Sequence, residues 1–276
     1  MDILLHAFTA LAYATLALHF WRTRWMGSAP VSMTGWERGV ILAPLALHTW
    51  LLWDILFTST ELRFGFAIAL SAMMWLAVLI YWVENLFLKL EGMQAPVLGL
   101  AALCTPWPAL FPGLVAPPIA QSMEFRVHTV LAMLAYSFFT LAALHALLMT
   151  MVERRLHGHA GGRSIKGLWA SMPPLLTMES MLFRLIALGF ALLTLTLASG
   201  AVYSETLFGQ AMKFNHKTLF AVISWLIFAA LLCGRYLYGW RGRQALRWTL
   251  SGFASLLLAY IGSRFVLEVI LQRPLS

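Results

Sequence analysis

Long apolar runs, separated by short polar segments, repeat along the whole chain. About 20 helical residues, rising 1.5 Å each, span the hydrocarbon core of a bilayer, and most of the runs have about that length. The runs must be helical because lipid offers no partner to unpaired backbone groups. The pattern predicts an all-α fold, with one transmembrane domain over residues 1–276 that forms a polytopic bundle of about eight helices.

The limits of the apolar runs predict where the helices cross. The fourth run contains Pro106 and Pro108, which bend or end a helix, so a re-entrant segment is an alternative to a full crossing there. The eight predicted spans are residues 3–21, 39–57, 64–83, 95–111, 127–152, 183–203, 218–238 and 246–271.

The composition argues against a soluble protein and against a nucleic-acid-binding one. Hydrophobic residues make up 61% of the chain and charged residues 11%, less than half the share of about 25% found in soluble domains. The net charge of +8 comes from lysines and arginines that punctuate the apolar runs and form no basic stripe. Thirteen of these 19 residues lie in or near the connections on one side of the predicted bundle, and six lie toward the other side. The positive-inside rule therefore predicts that both termini face outward, into the periplasm of a bacterium.

Four of the histidines in or next to the predicted spans are candidate site residues: His48, His128, His145 and His216. An ionisable residue in a membrane segment is costly and is therefore a candidate functional residue. His128 and His216 both fall at the outer boundary, and two neutral imidazoles from different helices can hold a haem iron between them. An interfacial polar role is the alternative for this pair. His48 and His145 lie deeper and are second-rank metal ligands, for which hydrogen-bonded packing is an equal alternative.

The predicted outer connection at residues 199–217 mixes aromatic residues, glycines and charges. Such a loop can cover a flat apolar ring, with Lys213 or Lys217 pairing with a carboxylate at its edge. The alternative is a belt of interfacial aromatic residues, which a membrane protein with 12 tryptophans would also show. The long cytoplasmic connection at residues 153–182 contains His157 and His159, which are expected to be solvated because no further ligands converge on them.

Several short motifs in the second half of the chain carry a resemblance to a known family. Gly239-Trp240-Arg241-Gly242 matches outright, while Phe208-Gly209, residues 214–218 and Trp225 occupy the positions of a tryptophan-rich outer loop. The chain thereby resembles the cytochrome c assembly family, the haem-handling membrane proteins of the CcsA and CcmC type. Phenylalanines stand where that loop has its leading tryptophans, and Asn215 stands where it has aspartate. The chain looks closest to the HemX-like and YpjD-like branch, and the resemblance is strongest over residues 125–269.

The resemblance implies a haem-binding and haem-handling protein of the bacterial inner membrane, which serves cytochrome c biogenesis as an assembly factor and not as an enzyme. The haem is expected to be of b type. The expected partners are membrane lipid and other cytochrome assembly or respiratory membrane proteins, not nucleic acid. His128 matches the family's first outer haem-ligating histidine by position, and His216 is the expected second ligand by location. The residues expected to contact haem around them are Phe208, Lys213, Phe214, Asn215, Lys217 and Trp225.

Two other classes of membrane protein are alternatives. A b-type redox protein needs histidines about four helical turns apart on each of two helices. His6 and His19 have that spacing, whereas His128 and His145 do not. A secondary transporter is expected to have paired broken helices and an inverted repeat, and the proline-containing fourth run has no matching partner in the other half of the chain.

Overall fold

The computed structural model of the chain describes residues 3–27, 32–58, 63–87, 92–116, 120, 122–158, 174–208 and 216–270. Most of these residues are helical. Seven helices in this part of the chain are long and apolar enough to cross a membrane. This confirms the predicted all-α polytopic bundle. The principal helices are α1 (Ile3–Phe20), α2 (Gly35–Trp53), α3 (Phe66–Phe87), α4 (Gln94–Cys104), α5 (Trp107–Leu110), α6 (Met123–Gly158), α7 (Leu175–Phe208), α8 (His216–Tyr238) and α9 (Gly242–Leu257).

Three of these helices continue beyond their regular α-helical part. Further turns with π-helical hydrogen bonding extend α1 over Trp21–Trp25, α2 over Asp54–Thr58 and α9 over Leu258–Gly262. A short helix, α10, then covers Ser263–Phe265, and a turn with π-helical hydrogen bonding follows over Val266–Ile270. The extensions bring each helix to a length that spans a bilayer.

The first helix shows how these sequences fold in an apolar solvent. Its polar side chains His6, Thr9 and Tyr13 are buried against the rest of the bundle, whereas Leu4 and Phe8 are exposed. This is the reverse of a soluble helix, and it suits lipid, which solvates apolar side chains and leaves polar groups to find partners inside the protein. The amphipathic pattern of α1 therefore orients it within the bundle.

The fourth predicted span contains the break that its prolines predict. Its first helix, α4, ends at Cys104, and a separate turn, α5, begins at Trp107, with Pro106 between them. The 11 residues of α4 rise only about 16 Å, which is well short of a hydrocarbon core of about 30 Å. Proline removes an amide donor and clashes with the preceding turn, and this accounts for the break.

The broken segment nevertheless runs from one end of the bundle to the other. Gly92, at the beginning of this segment, accepts a hydrogen bond from the indole Nε1 of Trp25 (3.2 Å), which lies at the end of the α1 extension. The carbonyl of Thr105, which follows α4, lies 2.9 Å from Nδ1 of His6, near the start of α1. Beyond α5, strand β2 (Leu114–Val115) pairs antiparallel with β1 (Arg63–Phe64), which precedes α3. The segment is therefore a fourth passage along the bundle.

The last four long helices also alternate in direction. A contact between His145 and Met178 joins α6 to α7 near one end, and a contact between His128 and Ser199 joins them near the other. Farther along, Ser224 of α8 donates to the carbonyl of Gly252 in α9. Eight alternating passages bring the start of α1 and the end of α9 to the same end, which we call the terminal end; the other is the opposite end.

Candidate functional site

His128 lies in the second turn of α6 at the terminal end and is half-buried against α7. Its Nδ1 is 2.9 Å from the hydroxyl oxygen of Ser199. That hydroxyl is also 3.0 Å from the carbonyl oxygen of Thr196, which can only accept, so the serine donates its proton there. Ser199 then accepts a hydrogen bond from the Nδ1–H of His128. In a neutral imidazole this leaves the lone pair on Nε2 available to a ligand.

Gly200, which follows Ser199, allows the His128 imidazole to pack closely against α7. A Cβ added at Gly200 would lie 3.2 Å from Cε1 and 3.8 Å from Nδ1 of His128. The first distance is tighter than ordinary van der Waals contact, so glycine lets the ring approach the helix closely. Two adjacent residues of α7 thus hold a single side chain of α6.

His216 is the first residue of α8 and is exposed at the terminal end. Trp225 Nε1 donates to Thr194 Oγ1 (2.9 Å), which sets the level of α8 against α7. From that level Ser199 rises about 7 Å and His216 about 13 Å, at 1.5 Å per residue. The structure therefore places His128 and His216 at the same end, with His216 about 6 Å higher along the bundle. No hydrogen bond joins them in the part of the chain that the structure describes.

Trp225 lies below these histidines and is half-buried. Its indole stacks on the ring of Phe190, with centroids 5.5 Å apart and an interplanar angle of 26°. Together with the hydrogen bond to Thr194, this stacking joins α7 to α8 under the terminal surface. Trp225 thus places an aromatic ring between α7 and α8, about two helical turns deeper in the bundle than Ser199.

The remaining residues expected to contact haem are described only in part. Lys217 follows His216 in α8 and is half-buried. Phe208 lies in the last turn of α7, but its side chain is outside the described part of the structure. Lys213, Phe214 and Asn215 lie outside the described residues altogether. Their contacts with haem stay predictions.

The two second-rank histidines are buried inside the bundle and hydrogen-bonded to neighbouring helices. His48 Nε2 is 2.8 Å from Ser71 Oγ, and His145 Nε2 donates to the carbonyl of Met178 at 3.0 Å. In each case Nδ1 is buried without a partner in the described structure. His145 is about 25 Å along α6 from His128, so it does not belong to the terminal site. Within the described ranges no three His, Cys, Asp or Glu side chains are grouped as metal ligands.

The histidine pair with the spacing of a b-type redox protein points toward different helices. His6 Nδ1 donates to the carbonyl of Thr105, just beyond α4. His19 Nε2 lies 3.0 Å from a carboxylate oxygen of Glu37 in α2. Haem ligands on one helix need to face a common partner helix, and these two do not.

The Gly239–Gly242 motif builds a turn at the opposite end. Gly239 and Gly242 have φ of 66° and 54°, which favours glycine at both positions. The amide of Gly242 donates to Glu179 in α7 (2.9 Å), whose other carboxylate oxygen pairs with Arg235 at 3.5 Å. Arg235 also donates to the carbonyl of Trp240 (3.2 Å). The motif thus links α8 and α9 to the start of α7, far from His128. The sequence did not indicate this role because the contacts join residues that are distant along the chain.

Comparison with known proteins gives relatives for most of the chain. It is 34% identical over 144 residues to the inner membrane protein YpjD of Escherichia coli, which covers 52% of this chain and 52% of that protein. It is 35% identical over 92 residues to the cytochrome c biogenesis protein CcsA of Gloeobacter violaceus and 37% identical over 86 residues to that of Synechocystis. These matches cover 33% and 31% of this chain and 27% and 26% of the two relatives.

The chain therefore spans about half the length of the curated relative YpjD and about a quarter of the CcsA proteins. No solved structure matches it. A family described as cytochrome C assembly protein matches residues 40–271, which include every long helix except α1 and the first five residues of α2. On this match the chain belongs to the cytochrome c assembly protein family.

Proposed function

We propose that this protein binds haem at the terminal end of its bundle and handles it during cytochrome c biogenesis, as an assembly factor that turns over no substrate. Membership of the cytochrome C assembly family and the similarity to relatives named cytochrome c biogenesis proteins support this function. The main structural support for haem binding is the environment of His128. Its Nδ1 is hydrogen-bonded to Ser199, and its Nε2 would remain available to bind iron.

The residues described at the terminal end, together with those predicted there, have the chemistry that haem binding needs. His128 Nε2 would be one ligand to the haem iron, and His216, exposed at the same end, would be the second. Haem, proposed to be of b type, would supply an iron that binds imidazole nitrogen. Lys217 and Lys213 would pair with its propionates. Phe208, Phe214, Asn215 and Trp225 would line its rim.

We further propose that the protein lies in the bacterial inner membrane with its terminal end in the periplasm. The relative YpjD is named an inner membrane protein. The opposite end carries the larger share of lysines and arginines, among them Arg241, Arg243 and Arg247, which are exposed there. The positive-inside rule places that end in the cytoplasm. The proposed partners are haem, lipid and other membrane components of cytochrome assembly.

A visible absorption spectrum tests the function directly. Detergent-purified protein, reconstituted with haem, is expected to show a Soret band that shifts on reduction. His128→Ala is expected to remove or strongly shift that band because an axial ligand is lost, and added imidazole should partly restore it by filling the vacated position. His216→Ala should alter the band while leaving His128 ligation in place.

The double variant His157→Ala and His159→Ala is the matched control. His157 lies in the last turn of α6, at the opposite end from His128, and His159 follows it in the predicted connection, which is expected to be solvated. The spectrum of this variant should equal that of the wild type. A His128→Ala protein that is stably inserted and keeps an unaltered spectrum at full haem occupancy would refute the ligand assignment. Wild-type protein that holds no haem after reconstitution would refute the function.

A further inference from the structure

We propose that Ser199 and Gly200 are positioning residues that set the tautomer, the orientation and the donor strength of His128 as a haem ligand. This inference rests on the proposed function and deepens it. Sequence reasoning assigned a role to the histidine alone. The structure adds the two adjacent residues of α7 that touch it, 71 and 72 positions further along the chain.

The tautomer follows from the direction of two hydrogen bonds. The carbonyl of Thr196 accepts from the Ser199 hydroxyl at 3.0 Å, which uses the only proton that the serine has. The serine oxygen then faces His128 with a lone pair, and the 2.9 Å contact is made by Nδ1–H. In the opposite tautomer the serine would have to turn its only proton toward Nδ1 and give up its hydrogen bond to the carbonyl of Thr196. Ser199 thus favours the proton on Nδ1 over Nε2, the nitrogen that would bind iron.

The orientation follows from close packing beside that hydrogen bond. A Cβ at Gly200 would lie 3.2 Å from Cε1 of the imidazole, so the ring rests directly on the glycine. A hydrogen bond at Nδ1 and a van der Waals contact at Cε1 restrain the ring at two neighbouring atoms. Rotation about the Cβ–Cγ bond of His128 would break one of these contacts, and the direction of Nε2 is therefore fixed by α7.

The donor strength follows from the same hydrogen bond. A ligating imidazole that donates its other N–H becomes a stronger electron donor to the metal, and loss of such a partner typically costs about 10- to 100-fold in metal affinity. A stronger nitrogen donor stabilises ferric over ferrous iron. Removing the acceptor at residue 199 should therefore weaken haem binding and move the reduction potential to more positive values.

The test compares haem affinity, reduction potential and ferric electron paramagnetic resonance in four variants of the full-length protein. Ser199→Ala is expected to raise the haem dissociation constant about 10- to 100-fold and to shift the potential positively. Ser199→Thr should restore both quantities because threonine in a helix places its hydroxyl over the preceding turn, as Thr196 does (2.8 Å to Leu192). Gly200→Ala should change the resonance spectrum by turning the ring.

Ser180→Ala is the matched control. Ser180 lies on the same helix, donates to the carbonyl three residues earlier at 2.8 Å and is exposed near the opposite end, so its loss should leave all three measurements unchanged. Wild-type haem binding through His128 with an unchanged affinity and potential in Ser199→Ala would overturn the positioning role alone. Failure of Ser199→Thr to restore them would also contradict it. Wild-type protein without haem would overturn the positioning role together with the proposed function.

Discussion

At the scale of single residues, the carboxylate of Glu37 shows how this chain keeps a charge in the bundle. Arg24 approaches both of its oxygens, at 2.7 and 2.6 Å, in a bidentate pair. The amide and hydroxyl of Thr34 donate to one oxygen, and His19 reaches the other at 3.0 Å. Glu37 and Arg24 are each only 4% exposed. Such a pair is tolerated in an apolar setting because nearly every lone pair is occupied.

Replacing Glu37 by glutamine should therefore be costly. The substitution leaves the buried Arg24 guanidinium without its counter-ion, and removal of one partner of a buried ion pair costs about 3–5 kcal/mol. Unfolding of the purified protein, followed by helical circular dichroism during denaturant titration in mixed micelles, measures the loss.

The control for this prediction is Glu153→Gln. Glu153 pairs with Arg243 at 2.9 Å, but that arginine side chain is 65% exposed, so the loss should be within about 1 kcal/mol. Equal effects of the two substitutions would contradict the importance of burial.

The candidate site illustrates what the sequence reveals about single residues. His128 could be singled out because the family resemblance marks its position, whereas residue type alone also suits an interfacial polar role. Its partner Ser199 could not be assigned, since a serine in a helix is ordinary and the contact joins residues 71 apart. The expectation that His48 and His145 need partners in the bundle is confirmed, because burial of an imidazole requires hydrogen bonds. Which groups supply them depends on how the helices pack.

At the scale of the helices, the contact between α8 and the turn that follows it depends on the lack of a side chain. The ring of Trp240 lies so close to Gly234 that a Cβ there would overlap it. The amide of Trp240 donates to the carbonyl of Gly234 (3.1 Å), and its ring packs on Trp248 of α9 with centroids 5.3 Å apart. Gly234 thus lets the chain fold back from α8 into α9.

Gly234→Ala should consequently destabilise the bundle, because the tryptophan ring must shift. Overpacking of this kind costs about 1–3 kcal/mol. The same denaturant titration measures it. Gly39→Ala is the matched control: that glycine lies within α2 with nothing close to its added Cβ, so alanine should be neutral or stabilise by up to about 1 kcal/mol. A Gly234→Ala protein as stable as the wild type would rule out the tight contact.

The sequence predicted the helices well and their interruptions less well. Apolar runs of bilayer length indicate helices because lipid permits little else, and Pro106 marked a break that the structure contains. The pairing of Arg63–Phe64 with Leu114–Val115 had no signal, since two residues are too few to show alternation. That short pairing helps to fix where the broken fourth segment finishes.

At the scale of the whole molecule, the fourth segment decides the topology of everything after it. A re-entrant segment would return to the end from which it came and would reverse α6 to α9. The contacts of Gly92 with Trp25 and of Thr105 with His6 place its two limits at different ends. His128 therefore shares an end with the start of α1.

Alkaline phosphatase fusions test this arrangement, since the enzyme is active only in the periplasm. Fusions after Val115 and after Ser276 should be active, and fusions after Phe87 and after Tyr238 should be inactive. The pair at Phe87 and Val115 isolates the broken segment because only α4, α5 and β2 lie between them. Matching activity at those two points in well-expressed fusions would show that the segment does not cross. Activity at Tyr238 with none at Ser276 would reverse the orientation.

The polar buried face of α1 imposes an order on biosynthesis. His6 is bonded to Thr105, a residue 99 positions later, so its partner does not yet exist when the first helix leaves the ribosome. At about 5 to 20 residues per second, translation needs roughly 5 to 20 s to supply it. During that interval the imidazole must stay in water or against the insertion machinery. We therefore expect α1 to settle into lipid only after α4 has emerged from the ribosome.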